Sequence, residues 1–210
     1  MQNVLYFLFE KAYINITNTC TNSCKFCVRD IKDDVSGACL WLENENIRAK
    51  DVISEIEKNI DKIKIKNELV FCGYGEPLVK FKEVLEISKY VKENYPEIKI
   101  RINTNGHGNY INKKNIVPEL KKYIDSISIS LNAQNEELYN SISCPKFKGA
   151  YNEMLNFAKE CTKSGIDTTM SVVSNYKPEL YKIDLFECEK ISKEINAAFK
   201  NREWIENGYN

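Results

Sequence analysis

The chain has 210 residues, of which 43% are hydrophobic, and its 30 basic and 30 acidic side chains give a net charge of zero. This length suits one domain with a substantial core. The balanced charge gives no general attraction to nucleic acid or to an anionic membrane, and no apolar run reaches the roughly 18 residues of a membrane-spanning helix. Because the N-terminus also lacks the pattern of a signal peptide, we expect a cytoplasmic protein.

Short apolar runs alternate along the chain with segments of helical periodicity. An extra N-terminal strand is predicted within residues 1–9, from Val4 to Phe9. The strands predicted after it cover residues 12–16, 69–72, 98–102, 126–131, 168–173 and 197–204. The predicted helices cover residues 52–63, 84–91, 117–123, 150–161 and 185–195. Residues 28–42 are expected to form a loop.

This alternation of strands and helices predicts a parallel sheet with helices on its outer side. About six parallel strands are too few for a closed eight-stranded barrel. The expected fold is therefore α/β, an open, partial (β/α)6-type barrel. Since no linker or repeat divides the chain, we expect a single domain over residues 1–210, with a variable C-terminal part at 180–210.

Three cysteines follow the second predicted strand: Cys20, Cys24 and Cys27 have the spacing C-x3-C-x2-C. The polar residues between them favour turns, which argues against three cysteines packed on a core helix. Three clustered thiolates without a nearby fourth are typical of a metal site that keeps one coordination position open for chemistry. The alternative is a zinc-stabilised binding module, whose fourth ligand would be Cys39 or His107.

Glycine and polar residues lie at or just after the ends of three later predicted strands. They are Gly73, Tyr74, Gly75, Glu76, Asn103, Asn105, Ser130 and Asn132. Because functional sites of parallel sheets lie at the C-terminal ends of the strands, we expect these residues to meet the cysteines at one rim. Taken singly, Gly-Tyr-Gly and Asn-Gly are also typical of ordinary turns.

Together these residues resemble the radical S-adenosylmethionine (SAM) superfamily. Its cluster loop has the same cysteine spacing, with an aromatic residue before the third cysteine, here Phe26. Gly75-Glu76-Pro77 resembles its Gly-Gly-Glu motif, with Tyr74 in place of the usual glycine. The likeness is closer still to the TatD-associated radical SAM proteins, whose motifs are similar to residues 15–18, 40–43, 71–77, 103–106, 116–120 and 128–133.

The resemblance implies a [4Fe–4S] cluster bound by Cys20, Cys24 and Cys27, with SAM on the fourth iron. One electron from a flavodoxin- or ferredoxin-type donor would release a 5′-deoxyadenosyl radical, which abstracts a hydrogen atom from an unidentified small substrate. The turn from Gly73 to Glu76 would hold the methionine part of SAM, and Phe26 would lie near the adenine. The ribose and carboxylate of SAM would be held by Asn103, Asn105, Ser130 and Asn132.

Two further residues are candidates for contact with the substrate. His107, in a glycine-rich turn at the expected open rim, could donate a proton or a hydrogen bond, although a histidine in such a turn is more often merely exposed. Cys144, before Pro145, could supply a hydrogen atom. Two other radical SAM reactions are alternatives: activation of a glycyl-radical partner protein, and a ring rearrangement like that of 7-carboxy-7-deazaguanine synthase.

Overall fold

The computed structural model describes residues 3–9, 11–32, 34–35 and 37–205. Within these residues the strands are β1 (Leu5–Leu8), β2 (Lys11–Ile14), β3 (Asp34–Val35), β4 (Ala38–Cys39), β5 (Glu68–Phe71), β6 (Lys99–Thr104), β7 (Ser126–Ser130), β8 (Asp167–Ser174) and β9 (Ala198–Glu203). The α-helices are α1 (Ala49–Lys58), α2 (Ile60–Lys66), α3 (Phe81–Asn94), α4 (Gly108–Asn112), α5 (Val117–Leu120), α6 (Glu136–Ser143), α7 (Ala150–Lys163) and α8 (Leu185–Glu194).

One sheet of seven strands organises the molecule, in the order β1-β2-β5-β6-β7-β8-β9. The extra strand β1 pairs antiparallel with β2, and every later neighbour is parallel. The two edge strands, β1 and β9, do not pair with each other in the described part of the chain, so the sheet stays open. The predicted α/β fold, an open, partial (β/α)6-type barrel, is confirmed.

The two faces of the sheet differ in the chemistry of their side chains. Successive residues of a strand point to opposite faces. On β7, Ile127 and Ile129 join the main hydrophobic core, whereas Ser128 and Ser130 line an interior cavity. Helix α3 contributes its apolar stripe of Val84, Ile87 and Val91 to the same core. Small polar side chains on the inner face therefore leave room for a site inside the partial barrel.

Four segments differ from the sequence-based expectation. The predicted helix at 52–63 is two helices, interrupted at Asn59, whose side-chain amide donates to the Glu55 carbonyl at 2.9 Å. The expected loop at 28–42 contains a 3-10 turn at Val28–Asp30 and the hairpin of β3 and β4. Helices α4 and α6 were not predicted. Among the described helices, none combines the length and apolar character needed to cross a membrane.

Candidate active site

A cavity of about 240 Å³ lies where the parallel strands end. The twelve predicted metal- and cofactor-binding residues all line it: Cys20, Cys24, Phe26, Cys27, Gly73, Tyr74, Gly75, Glu76, Asn103, Asn105, Ser130 and Asn132. They come from four separate segments of the chain, which meet because the strands are parallel and end at the same edge. These residues therefore lie together at one edge of the sheet, as expected from the sequence.

The three loop cysteines are half-buried free thiols. Burial raises the pKa of Cys20 and Cys27, and it raises the pKa of Cys24 to about 12. A metal centre must therefore displace a proton from each thiol before it binds the thiolates. No three His, Cys, Asp or Glu side chains of the described residues are grouped to hold one metal ion. A cluster, by contrast, offers each thiolate its own iron.

Hydrogen bonds from later segments hold the cysteine loop in place. The Asn105 side-chain amide donates to Thr21 Oγ1 at 2.8 Å, and Thr21 Oγ1 also contacts His107 Nδ1 at 2.9 Å. Lys146 Nζ donates to the Cys20 carbonyl at 2.8 Å, and the Lys146 backbone N–H donates to the Thr21 carbonyl at 2.9 Å. The loop is therefore positioned by residues that lie far from it in sequence.

His107 is fully buried behind this loop, with 0% of its surface exposed, so the expected exposed rim position is wrong. Its Nε2 contacts the Tyr139 hydroxyl at 3.1 Å, and the ring of Phe147 packs edge-on at 4.9 Å. Burial lowers the pKa of His107 to about 4, so the ring is neutral at neutral pH. The side chain does not line the described cavity. It supports the loop through Thr21.

Cys144 also lies outside the described lining of the cavity. It ends α6 in the left-handed conformation, with φ of 43°, and its thiol donates to the Ser141 carbonyl at 3.4 Å. The next residue, Pro145, forms an isolated bridge with Asn22 of the cysteine loop. Cys144 therefore lies in a segment that pairs with the cysteine loop and not in the cavity lining.

The turn after β5 requires a glycine because backbone approaches it closely. A Cβ at Gly75 would lie 2.3 Å from the Thr17 carbonyl oxygen and 2.7 Å from that of Thr19. The Tyr74 ring packs into a separate small core with Tyr6 and Leu40, and its hydroxyl donates to the Lys32 carbonyl at 2.5 Å. The turn is thus pressed against the loop segment between β2 and the first cysteine.

Glu76 ties this turn to the end of β6. Its buried carboxylate accepts from Leu78 N at 3.0 Å, Thr104 Oγ1 at 2.8 Å and Asn105 N at 2.7 Å. Burial raises the pKa of Glu76 to about 7, although all three hydrogen bonds favour the charged form. Its main structural effect is to fix Asn105, which contacts the cysteine loop.

Three buried acceptors on the cavity wall have no donor among the described residues. They are the Oδ1 atoms of Asn22, Asn103 and Asn132. Asn132 follows β7 in the left-handed conformation, with φ of 60°. Because buried polar atoms are normally hydrogen-bonded, these oxygens fit a ligand that carries hydroxyl or amine donors.

The far side of the cavity is lined by residues that the sequence reasoning did not assign. They are Ser171 and Val173 of β8, and Arg202, Trp204 and Ile205 at the end of β9. Trp204 contacts Tyr176 edge-on at 5.1 Å, and Tyr176 in turn contacts Phe26 at 6.0 Å. The sequence feature that could have identified them is their position at the ends of the last two predicted strands.

Curated proteins are similar in sequence to part of this chain. The chain is 30% identical over 156 residues to the dual-specificity RNA methyltransferase RlmN of Buchnera aphidicola subsp. Schizaphis graminum, covering 69% of this chain and 39% of that protein. It is 33% identical over 132 residues to the probable GTP 3′,8-cyclase of Methanocaldococcus jannaschii, covering 62% of this chain. The chain spans 39% of the length of each of these relatives.

The fold is also shared with solved structures. Streptococcus suis SuiB bound to S-adenosylmethionine superposes with a TM-score of 0.68 and 20% identity, covering 94% of this chain and 41% of SuiB. The family model described as the Radical SAM superfamily matches residues 14–179. With most of the chain matched and the fold in agreement, the protein belongs to the radical SAM superfamily of enzymes, whose cofactors are a [4Fe–4S] cluster and SAM.

Proposed function

We propose that the chain is a single-cluster radical SAM enzyme of the TatD-associated type, acting as one domain on a small substrate. One observation carries this proposal: the three loop thiols and the residues at the ends of β5, β6 and β7 line the same cavity. The alternative radical SAM reactions, glycyl-radical activation and deazaguanine-type ring rearrangement, have no comparable support from this chain's own motifs.

The residues present fit the two cofactors. Cys20, Cys24 and Cys27 would hold the cluster and leave one iron for SAM, while the unpartnered oxygens of Asn103 and Asn132 would accept from SAM hydroxyl or amine groups. When both are bound and the cluster is reduced, they supply a 5′-deoxyadenosyl radical that takes a hydrogen atom from the substrate. The TatD-associated assignment rests on the sequence motifs alone.

The chain's own residues position and shield this chemistry. Gly75 allows backbone to approach the methionine part of SAM, and Glu76 keeps that turn fixed against β6. The side chains of Asn105 and His107 hold Thr21, so the cysteine loop stays at the same rim. A half-enclosed cavity limits the access of water to a reactive radical.

Two partners follow from this proposal. A flavodoxin- or ferredoxin-type protein in the cytoplasm would supply the electron. The names of the two curated relatives refer to RNA and to GTP. The expected absence of a nucleic-acid partner should therefore be tested by measuring RNA binding. Because the net charge is zero, we expect little RNA binding and only a shallow dependence of that binding on salt, which a filter-binding series in salt would measure.

The deciding experiment is anaerobic reconstitution with iron and sulfide. We expect about four irons per chain and reductive cleavage of SAM to 5′-deoxyadenosine. Cys24→Ala should lose the cluster, whereas Cys39→Ser, which changes an exposed cysteine outside the cavity lining, should keep it. A protein that takes up only zinc, and releases it in Cys39→Ser or His107→Ala, would instead be the zinc-stabilised binding module.

A further inference from the structure

One wall of the cavity is left over after the cofactor contacts are assigned. The proposed cluster and SAM contacts come from the loop after β2 and from the ends of β5, β6 and β7. The remaining wall, on β8 and β9, carries Ser171, Val173, Arg202 and Trp204. A substrate that meets the radical inside this cavity must lie against the surface that the cofactors leave uncovered.

Arg202 is the only cationic side chain among the described residues that line this cavity. Its Nη2 donates to Ser171 Oγ at 3.3 Å, and Ser171 Oγ itself donates to the Ile129 carbonyl at 3.3 Å. The Nε of Arg202 is buried and has no acceptor in the described structure. The guanidinium is therefore held in place by Ser171 while part of its donor set is unused.

No described carboxylate forms an ion pair with Arg202. Removing a charged group from water without a counter-charge is costly, so a half-buried, unpaired guanidinium favours an anion beside it. The planar fork of arginine matches the two oxygens of a carboxylate or phosphate. The cavity thus offers a fixed, partly desolvated anion receptor.

SAM is a poor match for this receptor. It carries a sulfonium and an ammonium against one carboxylate, so it adds positive charge to the cavity. The acceptors that suit its donors, Asn103 and Asn132, lie on β6 and just beyond β7, rather than on β9. A second molecule with a negative group would instead supply the acceptor that the buried Nε of Arg202 lacks.

We propose that Arg202 binds a carboxylate or phosphate group of the substrate, which is therefore an anionic small molecule. This inference rests on the proposed radical SAM function. Ser171 acts as a positioning residue that orients the guanidinium. The aromatic surface of Trp204, fixed edge-on against Tyr176, lies beside the same wall and would contact the body of the substrate.

The first test needs no turnover. Inorganic phosphate, benzoate and the uncharged benzamide are titrated by calorimetry into the cluster-loaded, SAM-saturated protein without a reductant. We expect phosphate or benzoate to bind the wild type, and to bind Arg202→Gln about tenfold or more weakly, as for one lost hydrogen bond to a charged group. The control is Lys200→Gln, an exposed cation on the same strand outside the cavity lining, which should keep wild-type affinity.

Iron content and SAM affinity show whether each variant is folded, and Arg202→Lys, which keeps the charge without the fork, provides a second comparison. Arg202→Lys should bind phosphate more tightly than Arg202→Gln does. Benzamide should not distinguish any of the proteins. Equal anion affinity in the wild type and Arg202→Gln, or no anion binding by the wild type, overturns the proposal.

The second test identifies the charge of the substrate directly. An extract of deuterated metabolites is divided on an anion exchanger at neutral pH, and each fraction is incubated with SAM, reductant and enzyme. We expect the retained fraction to label 5′-deoxyadenosine, and a donor in the unretained fraction overturns the proposal. Failure of the proposed function would look different, because the wild type would then not cleave SAM with any fraction.

Discussion

At the scale of single residues, Gly75 is required because a side chain would collide with neighbouring backbone, and not because of its own backbone conformation. A Cβ there would lie 2.3 Å from the Thr17 carbonyl oxygen, whereas at Gly149, with φ of 77°, it would meet nothing within 4 Å. Gly75→Ala should therefore lower the free energy of unfolding by about 2–3 kcal/mol and weaken SAM binding, because the cysteine loop must shift. Gly149→Ala, the control, should cost about 1 kcal/mol from backbone strain alone.

Urea unfolding and SAM titration of the two glycine variants separate these causes. Gly149→Ala should keep the iron content and SAM affinity of the wild type, since Gly149 does not line the described cavity. Normal SAM affinity in Gly75→Ala would show that the close backbone approach is not needed for the site.

His107 predicts a dependence of stability on pH. Burial lowers its pKa from 6.5 to about 4. Between these values the unfolded chain binds a proton that the folded chain does not, so the free energy of unfolding falls as the pH falls. From pH 6.5 to 4.5 this residue should cost the metal-free protein about 2–3 kcal/mol.

His107→Gln is the matched variant, because the amide supplies a donor and an acceptor without titrating in this range. Urea unfolding of both proteins at the two pH values isolates the histidine, since the contributions of other groups cancel in the difference. Identical pH dependence in the wild type and the variant would contradict a neutral, buried His107.

At the scale of elements, Glu76 joins the turn after β5 to the end of β6. Glu76→Gln replaces one carboxylate oxygen by an NH₂ group, which cannot accept from Asn105 N or Leu78 N. We expect the free energy of unfolding to fall by about 1–3 kcal/mol, with weaker SAM binding, because a buried donor loses its acceptor. Glu86→Gln on the exposed side of α3 is the control and should change neither quantity.

The strands and helices with strong periodicity could be predicted from the sequence. Helix α7 has buried residues at Ala150, Met154 and Cys161 on one stripe, and β7 alternates isoleucine with serine. Helix α6 escaped prediction because it is short and polar, with Tyr139 and Ile142 as its buried large side chains. Local patterns of hydrophobicity therefore specified the long elements better than the short ones.

The part of the site that follows from the parallel order of the strands could be predicted from the sequence. The residues after β5, β6 and β7 meet the cysteines because parallel strands end at one edge. The burial of His107 could not be predicted, since it depends on Tyr139 and Phe147, more than 30 residues away. The role of Arg202 also depends on the pairing of β8 with β9, which sets it beside Val173.

At the scale of the whole molecule, the cavity is lined by residues on β6, β7, β8 and β9 and in the loops that follow β2 and β5, so its ligand should stabilise the entire fold. SAM at about 100 times its Kd should add about 2.7 kcal/mol to the free energy of unfolding. For a chain of this size the melting temperature should rise by roughly 5–10 °C. Calorimetry of the cluster-loaded protein measures the shift, and methionine alone is the control.

Methionine lacks the adenosine part that the proposed contacts on β6 and β7 would hold, so its shift should be smaller. A melting temperature that SAM leaves unchanged would contradict binding at the centre of the sheet. An equal shift with methionine and SAM would mean that the contacts of Asn103 and Asn132 contribute nothing.

The hydrogen bond from Lys146 Nζ to the Cys20 carbonyl joins residues 126 positions apart in the sequence, and this separation matters during synthesis of the chain. At ribosomal rates of about 5–20 residues per second, the cysteines emerge roughly 6–25 s before the segment that anchors their loop. During that interval the three thiols are exposed to oxidants and to stray metal ions. We therefore expect assembly of a metal centre on these cysteines to be a late event, timed by synthesis of the second half of the chain.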